Sequence, residues 1–334
     1  MAVTQHDVAR RAGVSTAIVS YVINNGPRAV APETQDRVLA AIQELGYQPS
    51  AVARSLRLQR TSTIGVMVPC LDIILTDVVQ GMQQIANRYE HRMVLCNTLH
   101  DPVQEHKSAE ALISERVAGV IWIPASADLS VGRKMSEYHI PLVLVDPPAA
   151  TPDFVSVEFD NYQGGYLATQ HLIALGHRKI ALIDRAEEAA FSRERRRGYL
   201  AALADYHIPF DPTLLIQTGP QFEDGRDAAR VLFARTMPPT AIFAYADIVA
   251  LGVLRAAYEQ KIVIPDQLSL IGFDDISHAA FTCPALTTIA VPKAERGQKS
   301  AELLFGLIQQ RTDGLSERLA VQLRVRETTG PVPR

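Results

Sequence analysis

The run Thr4-Gln5-His6-Asp7-Val8-Ala9-Arg10-Arg11-Ala12-Gly13-Val14-Ser15-Thr16-Ala17-Ile18-Val19-Ser20-Tyr21-Val22-Ile23-Asn24 reads as two short amphipathic helices joined through a glycine. Thr4 is placed to cap the first helix, and Asp7 puts a negative charge in its first turn, where the helix dipole favours one. Val8, Ala9 and Ala12 share one face, and Gly13 suits the tight bend that follows. Ser15 caps the second helix, whose inward stripe is Val19, Val22 and Ile23. Thr16, Ala17, Ser20, Tyr21 and Asn24 are left facing outward. Two helices in this arrangement form a helix-turn-helix, which presents the start of its second helix to base edges in the major groove of DNA. Thr16 can donate or accept there, Ala17 suits a thymine methyl, and Tyr21 can stack or hydrogen-bond one turn further along. Thr4, His6, Ser15 and Thr34 complete the expected DNA-facing set of this segment.

A third helix is expected over Glu33 to Leu45, with Pro32 at its first position and Val38, Ile42 and Leu45 turned inward. Beyond it, Ser50-Ala51-Val52-Ala53-Arg54-Ser55-Leu56-Arg57 is a helix-permissive run of two turns. So short a helix is marginal alone, because nucleation costs more than its few hydrogen bonds return. It forms only against a partner: a second copy of itself, DNA, or both. Arg54, Arg57 and Arg60 seek phosphates, and Leu56 is an apolar residue suited to wedge between base steps in the minor groove.

These segments resemble the lactose-repressor (LacI/GalR) family of bacterial transcription regulators. The strings that carry the likeness are Asp7-Val8-Ala9, Ala12-Gly13-Val14-Ser15, Val19-Ser20, Val22-Ile23-Asn24 and Gly46-Tyr47 followed by Pro49 to Leu56. Gly272-Phe273-Asp274-Asp275 and Pro284-Ala285-Leu286-Thr287-Thr288-Ile289 extend it along nearly the whole chain. The hinge string looks particularly like the purine-repressor branch. The resemblance implies a homodimer on a palindromic operator of double-stranded DNA. Each recognition helix would lie in a major groove, and paired hinge helices would open the minor groove at the centre. Ile18, Ala31 and Gln35 depart from the residues common in the family, and the departure bears on individual phosphate contacts and caps.

Composition agrees. Residues 1–60 hold seven Arg, no Lys and four acidic residues, a net +3, leaving 26 basic against 32 acidic side chains, a net −6, in the remainder. A basic end on an acidic body suits a phosphate-binding headpiece. No charged-then-apolar leader and no apolar run of membrane-spanning length is visible, so a cytoplasmic protein is expected, without membrane contact. Cys70, Cys96 and Cys283 have neither metal-ligand nor disulfide spacing. No leucine heptad follows Val325, so a dimer is expected rather than a tetramer.

From Thr63 the pattern changes to short apolar strands alternating with amphipathic helices. Strands are expected at Ile64–Val68, Met93–Cys96, Gly119–Ile123, Leu142–Val145, Lys179–Ile183, Ala241–Ala244 and Leu268–Ile271. Helices are expected at Asp77–Tyr89, Gln104–Glu115, Tyr162–Leu175, Arg193–Tyr206, Gly225–Arg235 and Ile248–Gln260. Such alternation predicts parallel sheets with right-handed crossovers. The fold expected is an all-α helix-turn-helix headpiece joined to an α/β core of two doubly wound subdomains. By the resemblance, that core is arranged like a periplasmic sugar-binding protein. The divisions are 1–46 for the headpiece, 47–61 for the hinge, 62–160 with 290–320 for one subdomain, and 161–289 with 321–330 for the other.

Ligands of open parallel sheets sit beyond the carboxyl ends of the strands. Asp146, Asp247 and Asp274 fall at or just after such ends, and Arg195 near the start of a helix. Carboxylates that accept hydroxyl hydrogens and an arginine that donates in a fixed fork suit a polyhydroxylated effector. Phe222 is the aromatic expected to stack on it. Leu75 is expected on the facing wall, beside Ile73 and Ile74, and Ala246 stands where sugar-binding members often carry Asn. The expectation is therefore a sugar or sugar derivative as a small-molecule effector, with a nucleobase-type corepressor as the alternative and no other cofactor. An enzyme is not expected, since G-x-S-x-G, H-E-x-x-H and G-x-x-x-x-G-K-[ST] are absent. A solute-binding protein without DNA function does not account for the first 60 residues.

Overall fold

The computed structural model describes residues 3–24, 26, 29–47, 61–71, 73–126, 128–148, 153–186, 189–311 and 316–333. The chain divides into two compact units, 1–62 and 63–334.

The first unit holds α1 (Gln5–Ala12), α2 (Thr16–Asn24) and α3 (Pro32–Leu45). Thr4 forms a capping box with Asp7: the Asp7 N–H donates to Thr4 Oγ1 at 3.4 Å, and the Thr4 N–H donates to Asp7 Oδ2 at 3.0 Å. Two orphan donors at the helix start are thereby satisfied. Gly13 ends α1 in the left-handed region at φ 66°, which a residue bearing a Cβ adopts only with strain. Val8, Ala9, Ala12, Val19, Val38 and Ala41 form the core, with Val22, Ile23, Ile42 and Leu45 packed against it. Six small or medium side chains make a thin core. The end of α3 has Gly46 as its left-handed cap, whereas Ala31 at its start offers no side-chain cap. The hinge expected over 47–61, with Arg54, Leu56 and Arg57, falls on residues 48–60, outside the described residues.

The second unit contains two six-stranded sheets. Its elements run β1 (Thr63–Val68), α4 (Ile73–Arg88), β2 (Arg92–Asn97), α5 (Pro102–Ser114), β3 (Gly119–Trp122), α6 (Ser130–Glu137), β4 (Leu142–Val145), β5 (Val155–Phe159), α7 (Asn161–Ala174), β6 (Ile180–Arg185), α8 (Ala190–Asp205), β7 (Leu215–Thr218), α9 (Phe222–Phe233), β8 (Ala241–Ala244), α10 (Asp247–Glu259), β9 (Ser269–Asp274), β10 (Thr287–Ala290), α11 (Lys293–Ile308), β11 (Glu317–Leu319) and β12 (Gln322–Arg324). The first sheet has the order β11-β5-β4-β3-β1-β2, and all its pairings are parallel. The second has the order β12-β10-β9-β8-β6-β7 and is parallel except for β10 with β12. The chain passes between sheets after β5, β10 and β11.

Strands covered on both faces lose the polar-apolar alternation. Every residue of β3, β4, β8 and β9 is buried. Three helix pairs are drawn close by reciprocal glycines, α7 with α8, α4 with α11, and α9 with α10. A Cβ on Gly165 of α7 would lie 2.0 Å from the Arg195 carbonyl oxygen, and one on Gly297 of α11 would lie 1.9 Å from that of Val78. These approaches fix the backbone at Arg195 on α8 and beside Arg296 on α11, the two arginines that matter below.

Candidate functional site

In the headpiece, α2 turns its fully buried Val19 inward and leaves Thr16 and Ala17 exposed and Ser20 and Tyr21 half-buried. The Gln5 side-chain amide donates to the Thr16 carbonyl at 3.3 Å, bracing the start of α2 against α1. Ser15 Oγ accepts from the Ile18 N–H at 3.3 Å, the N-cap its position demands. Thr4, although exposed, spends its hydroxyl on the capping box. His6 is exposed, and Thr34 is half-buried in the first turn of α3. The side chain of Asn24 lies outside the described residues. Arg10 pairs with Asp7 at 2.7 Å and Arg11 with Glu44 at 2.6 Å, both at the surface.

The second unit carries a cavity of about 200 Å³ at the carboxyl ends of seven strands. Pro69 follows β1, Ile123 follows β3, Asp146 follows β4, and Phe159 ends β5. From the other sheet, Arg185 ends β6, Tyr245 follows β8, and Asp274 ends β9. Leu75 of α4 and Arg195 of α8 also line it. A second compartment of about 350 Å³ shares Pro69, His100, Ile123, Asp146, Arg185 and Phe191 with the first.

Arg195 is 5 % exposed, and its guanidinium is held entirely by protein. Nε donates to Asn161 Oδ1 at 3.0 Å, Nη1 to the Tyr245 carbonyl, and Nη2 to Asp274 Oδ1 at 3.4 Å. Its carbon sits 3.5 Å from the centre of the Phe273 ring and 5.0 Å from that of Phe191. Burial draws the guanidinium below its ordinary value, and the Asp274 charge opposes that shift. Burial also pushes the Tyr245 hydroxyl up to about 12. Asp146 and Asp274 both have positive φ, 48° and 111° respectively, so each leaves its strand through a strained turn.

Two expected effector contacts lie elsewhere. Asp247 is fully buried but does not line the cavity. Its Oδ2 accepts from the Ile276 N–H at 2.9 Å and its Oδ1 from Thr288 Oγ1 at 2.6 Å, tying α10 to the segments after β9 and along β10. Burial and then the Asp274 charge push its carboxyl well above the usual range. Phe222 is the first residue of α9 and is 46 % exposed; Pro220, two residues earlier, takes the place at the cavity wall. A helix-starting aromatic after a proline turn points away because the turn itself occupies the cleft.

Sequence reasoning missed Arg296. This residue of α11 is 4 % exposed, ion-pairs through Nη1 with Asp146 Oδ2, and lies over the Phe159 ring at 4.1 Å. Its signal was present: Arg296, Ser300 and Leu304 fall at i, i+4 and i+8, which puts an arginine on the inward stripe of an amphipathic helix. Among the described residues no cluster of three or more His, Cys, Asp or Glu is placed to hold a metal ion.

Two family descriptions match the chain: "Bacterial regulatory proteins, lacI family" over residues 4–50 and "Periplasmic binding protein-like domain" over 169–329. The HTH-type transcriptional repressor PurR of Klebsiella pneumoniae is 35 % identical over 308 residues, covering 91 % of this chain and 90 % of the relative. The chain belongs to the lacI family. Among solved structures, the Lac repressor dimer bound to operator and the anti-inducer ONPF is 28 % identical, with a TM-score of 0.89 over 99 % of this chain and 100 % of that one. The transcriptional regulator CelR in complex with cellobiose is 29 % identical, with a TM-score of 0.76 over 98 % of this chain and 99 % of that one. This lacI-family chain is a DNA-binding transcriptional repressor and not an enzyme. It works in the cytoplasm, where bacterial operator DNA is found. No described helix is long and apolar enough to cross a membrane.

Proposed function

We propose that this lacI-family repressor binds a palindromic operator as a homodimer and is controlled by a neutral sugar held in the cleft of its second unit. The division into a headpiece of 1–46, a hinge of 47–61 and two effector-binding subdomains, 62–160 with 290–320 and 161–289 with 321–330, goes with that reading. Thr16, Ala17 and Tyr21 read bases, and His6, Ser20 and Asn24 stand beside them on the DNA-facing side. Thr34 and the hinge residues Arg54 and Arg57 take phosphates, while Leu56 wedges the minor groove. The effector shifts the cleft between open and closed states, and operator affinity follows. Such coupling is reciprocal, so operator DNA shifts effector affinity by the same factor.

The observation that carries the sugar reading is the convergence of Asp146, Arg195 and Asp274 on one largely apolar cavity. Each aspartate there faces an arginine, Asp146 with Arg296 and Asp274 with Arg195, so neither pair calls for a charged ligand. Apolar walls receive the C–H faces of a sugar ring, while polar groups take its hydroxyl rim. CelR, solved with cellobiose, has the same fold over nearly its whole length. The likeness to PurR favours a second reading, a nucleobase.

One titration separates the two. Isothermal calorimetry of the full chain against D-glucose, D-galactose, D-ribose, cellobiose, hypoxanthine and guanine is expected to return heat of binding for a sugar. Binding of a nucleobase with no response to any sugar would reverse the assignment.

A further inference from the structure

The start of α8 is tied to its sheet by a buried carboxylate. Asp184, the penultimate residue of β6, is 1 % exposed. Its Oδ1 accepts from Ser192 Oγ, and its Oδ2 accepts from Arg196 Nη1 at 3.0 Å. A carboxylate is tolerated in such surroundings only when it is paired and hydrogen-bonded. Ala189 offers α8 no side-chain cap, and residues 186–189 are all that join the helix to β6. Ser192 and Arg196 stand at i and i+4, on one face of α8. Arg193 lies about 100° around the axis from Ser192 and points elsewhere. Its Nη2 donates to the Pro148 carbonyl at 2.8 Å. Pro148 follows β4 of the first sheet, whereas α8 packs on β6 of the second, so this bond spans the cleft. Both residues line the compartment of about 350 Å³. Neither belongs to the segments after β5, β10 and β11 where the chain passes between sheets, so the bond opposes a movement those segments permit.

We infer that Asp184 is a positioning residue that aims Arg193 across the cleft, where its bond to the Pro148 carbonyl is a latch on the closed state. By holding Ser192 and Arg196 together, Asp184 stops the first turns of α8 from rolling against β6. Opening the cleft breaks the latch and closing restores it, so its strength sets the share of closed molecules before any effector arrives. An effector that prefers the closed cleft then binds more tightly in proportion to that share. The inference rests on the open and closed states of the proposed function, and it holds for a sugar or a nucleobase alike.

Two native thiols supply the readout. Cys70 lines the cavity of about 200 Å³, whereas Cys96 of β2, also half-buried, does not. The full-length protein, free of ligand, is treated with N-ethylmaleimide, and mass spectrometry follows the alkylation rate of each cysteine. Arg193→Ala is expected to speed the reaction of Cys70 by ~5-fold, the factor expected of one part-buried hydrogen bond, and to leave Cys96 unchanged. Asp184→Asn should raise the Cys70 rate by a similar factor. The double variant Asp184→Asn/Arg193→Ala should react no faster than Arg193→Ala alone, because Asp184 acts through Arg193. If Asp184→Asn does not fold, Ser192→Ala takes its place in the same cycle, with an expected rise of about 2-fold because one arm of the staple remains. An unchanged Cys70 rate in Arg193→Ala overturns the latch. Parallel rises at Cys70 and Cys96 mean a loosened fold and overturn it as well. Effects of Asp184→Asn, or of Ser192→Ala in its place, that multiply with those of Arg193→Ala overturn the positioning role. None of these rates depends on which effector binds, so failure of the sugar reading in the calorimetry above is told apart from failure of the latch.

Discussion

The two walls of the cleft are built from the same chemistry, an aspartate just past or at a strand end facing an arginine on a helix, yet one is finished and the other is not. On the side of the second sheet, Arg195 reaches Asn161, Tyr245 and Asp274, and Asp247 behind it is met by Ile276 and Thr288. On the side of the first sheet, Asp146 and Arg296 meet each other and leave one atom apiece unmet. A wall whose polar groups are all satisfied acts as scaffold, because disturbing it exposes buried charge. The unmet atoms of the first wall are buried and cost stability, so removing both partners there forfeits less than removing Arg195 from the second.

The sharpest way to break this comparison is to remove each arginine in turn. Arg195→Ala leaves Asp274, Asn161 and the Tyr245 carbonyl without their donor, and breaking a buried pair from one side costs about 3–5 kcal/mol. Urea unfolding should report a loss of that order. The cost of Asp146→Asn/Arg296→Leu should fall well below it, and similar losses on both walls would erase the distinction. A smaller effect is expected at the headpiece: Ala31→Ser gives α3 the side-chain cap it lacks and should stabilise that unit by about 1 kcal/mol. Amide exchange of headpiece residues would register it as increased protection, and unchanged protection would argue against an unmet cap.

The smallest expected effect is a pH slope in the subdomain of the second sheet. His177 is fully buried, hydrogen-bonded to Thr240, Ser269 and the Gly330 carbonyl, and burial holds its pKa below the usual 6.5, as it does that of His171. A histidine with a depressed folded-state pKa contributes stability that is present above 6.5 and lost as the pH falls below it. The unfolding midpoint should therefore drop on acidification from pH 7.5 to 5.5, and less steeply in His177→Gln. Parallel pH curves for the two proteins would remove His177 from the account.

Much of this fold was legible in the chain because buried parallel strands announce themselves as apolar runs. Leu142–Val145 and Ala241–Ala244 sit at the residues expected, and the first α3 turn begins at Pro32, as its fixed φ favours. What escaped was α6, β5, β7, β10, β11, β12 and the sixteen-residue α11, whose charged residues mask its inward stripe. β10 reads Thr-Thr-Ile-Ala, and its two threonines hide their hydroxyls in bonds to Asp247 and the Thr328–Thr329 segment. β11 and β12 are three residues each, too short to show a period. At the cleft, Asp146, Arg195, Asp274 and Leu75 were readable as residues at strand ends or on the apolar wall. Arg296 was not, because an arginine in a helix with Lys293, Glu295 and Lys299 looks like one more surface charge unless the inward stripe is traced. Phe222 misled for the opposite reason: an aromatic near the cleft suggests stacking, but its position at the start of α9 turns it to solvent.

The central claim is that a sugar held in the cleft changes the grip on DNA. The direct test takes a duplex selected from a random library by the full-length protein and measures its Kd by fluorescence anisotropy, with and without the best-binding sugar. For the wild type, saturating sugar should shift the Kd by about 5-fold or more, within the usual span of allosteric coupling. An operator Kd indifferent to every sugar would contradict it.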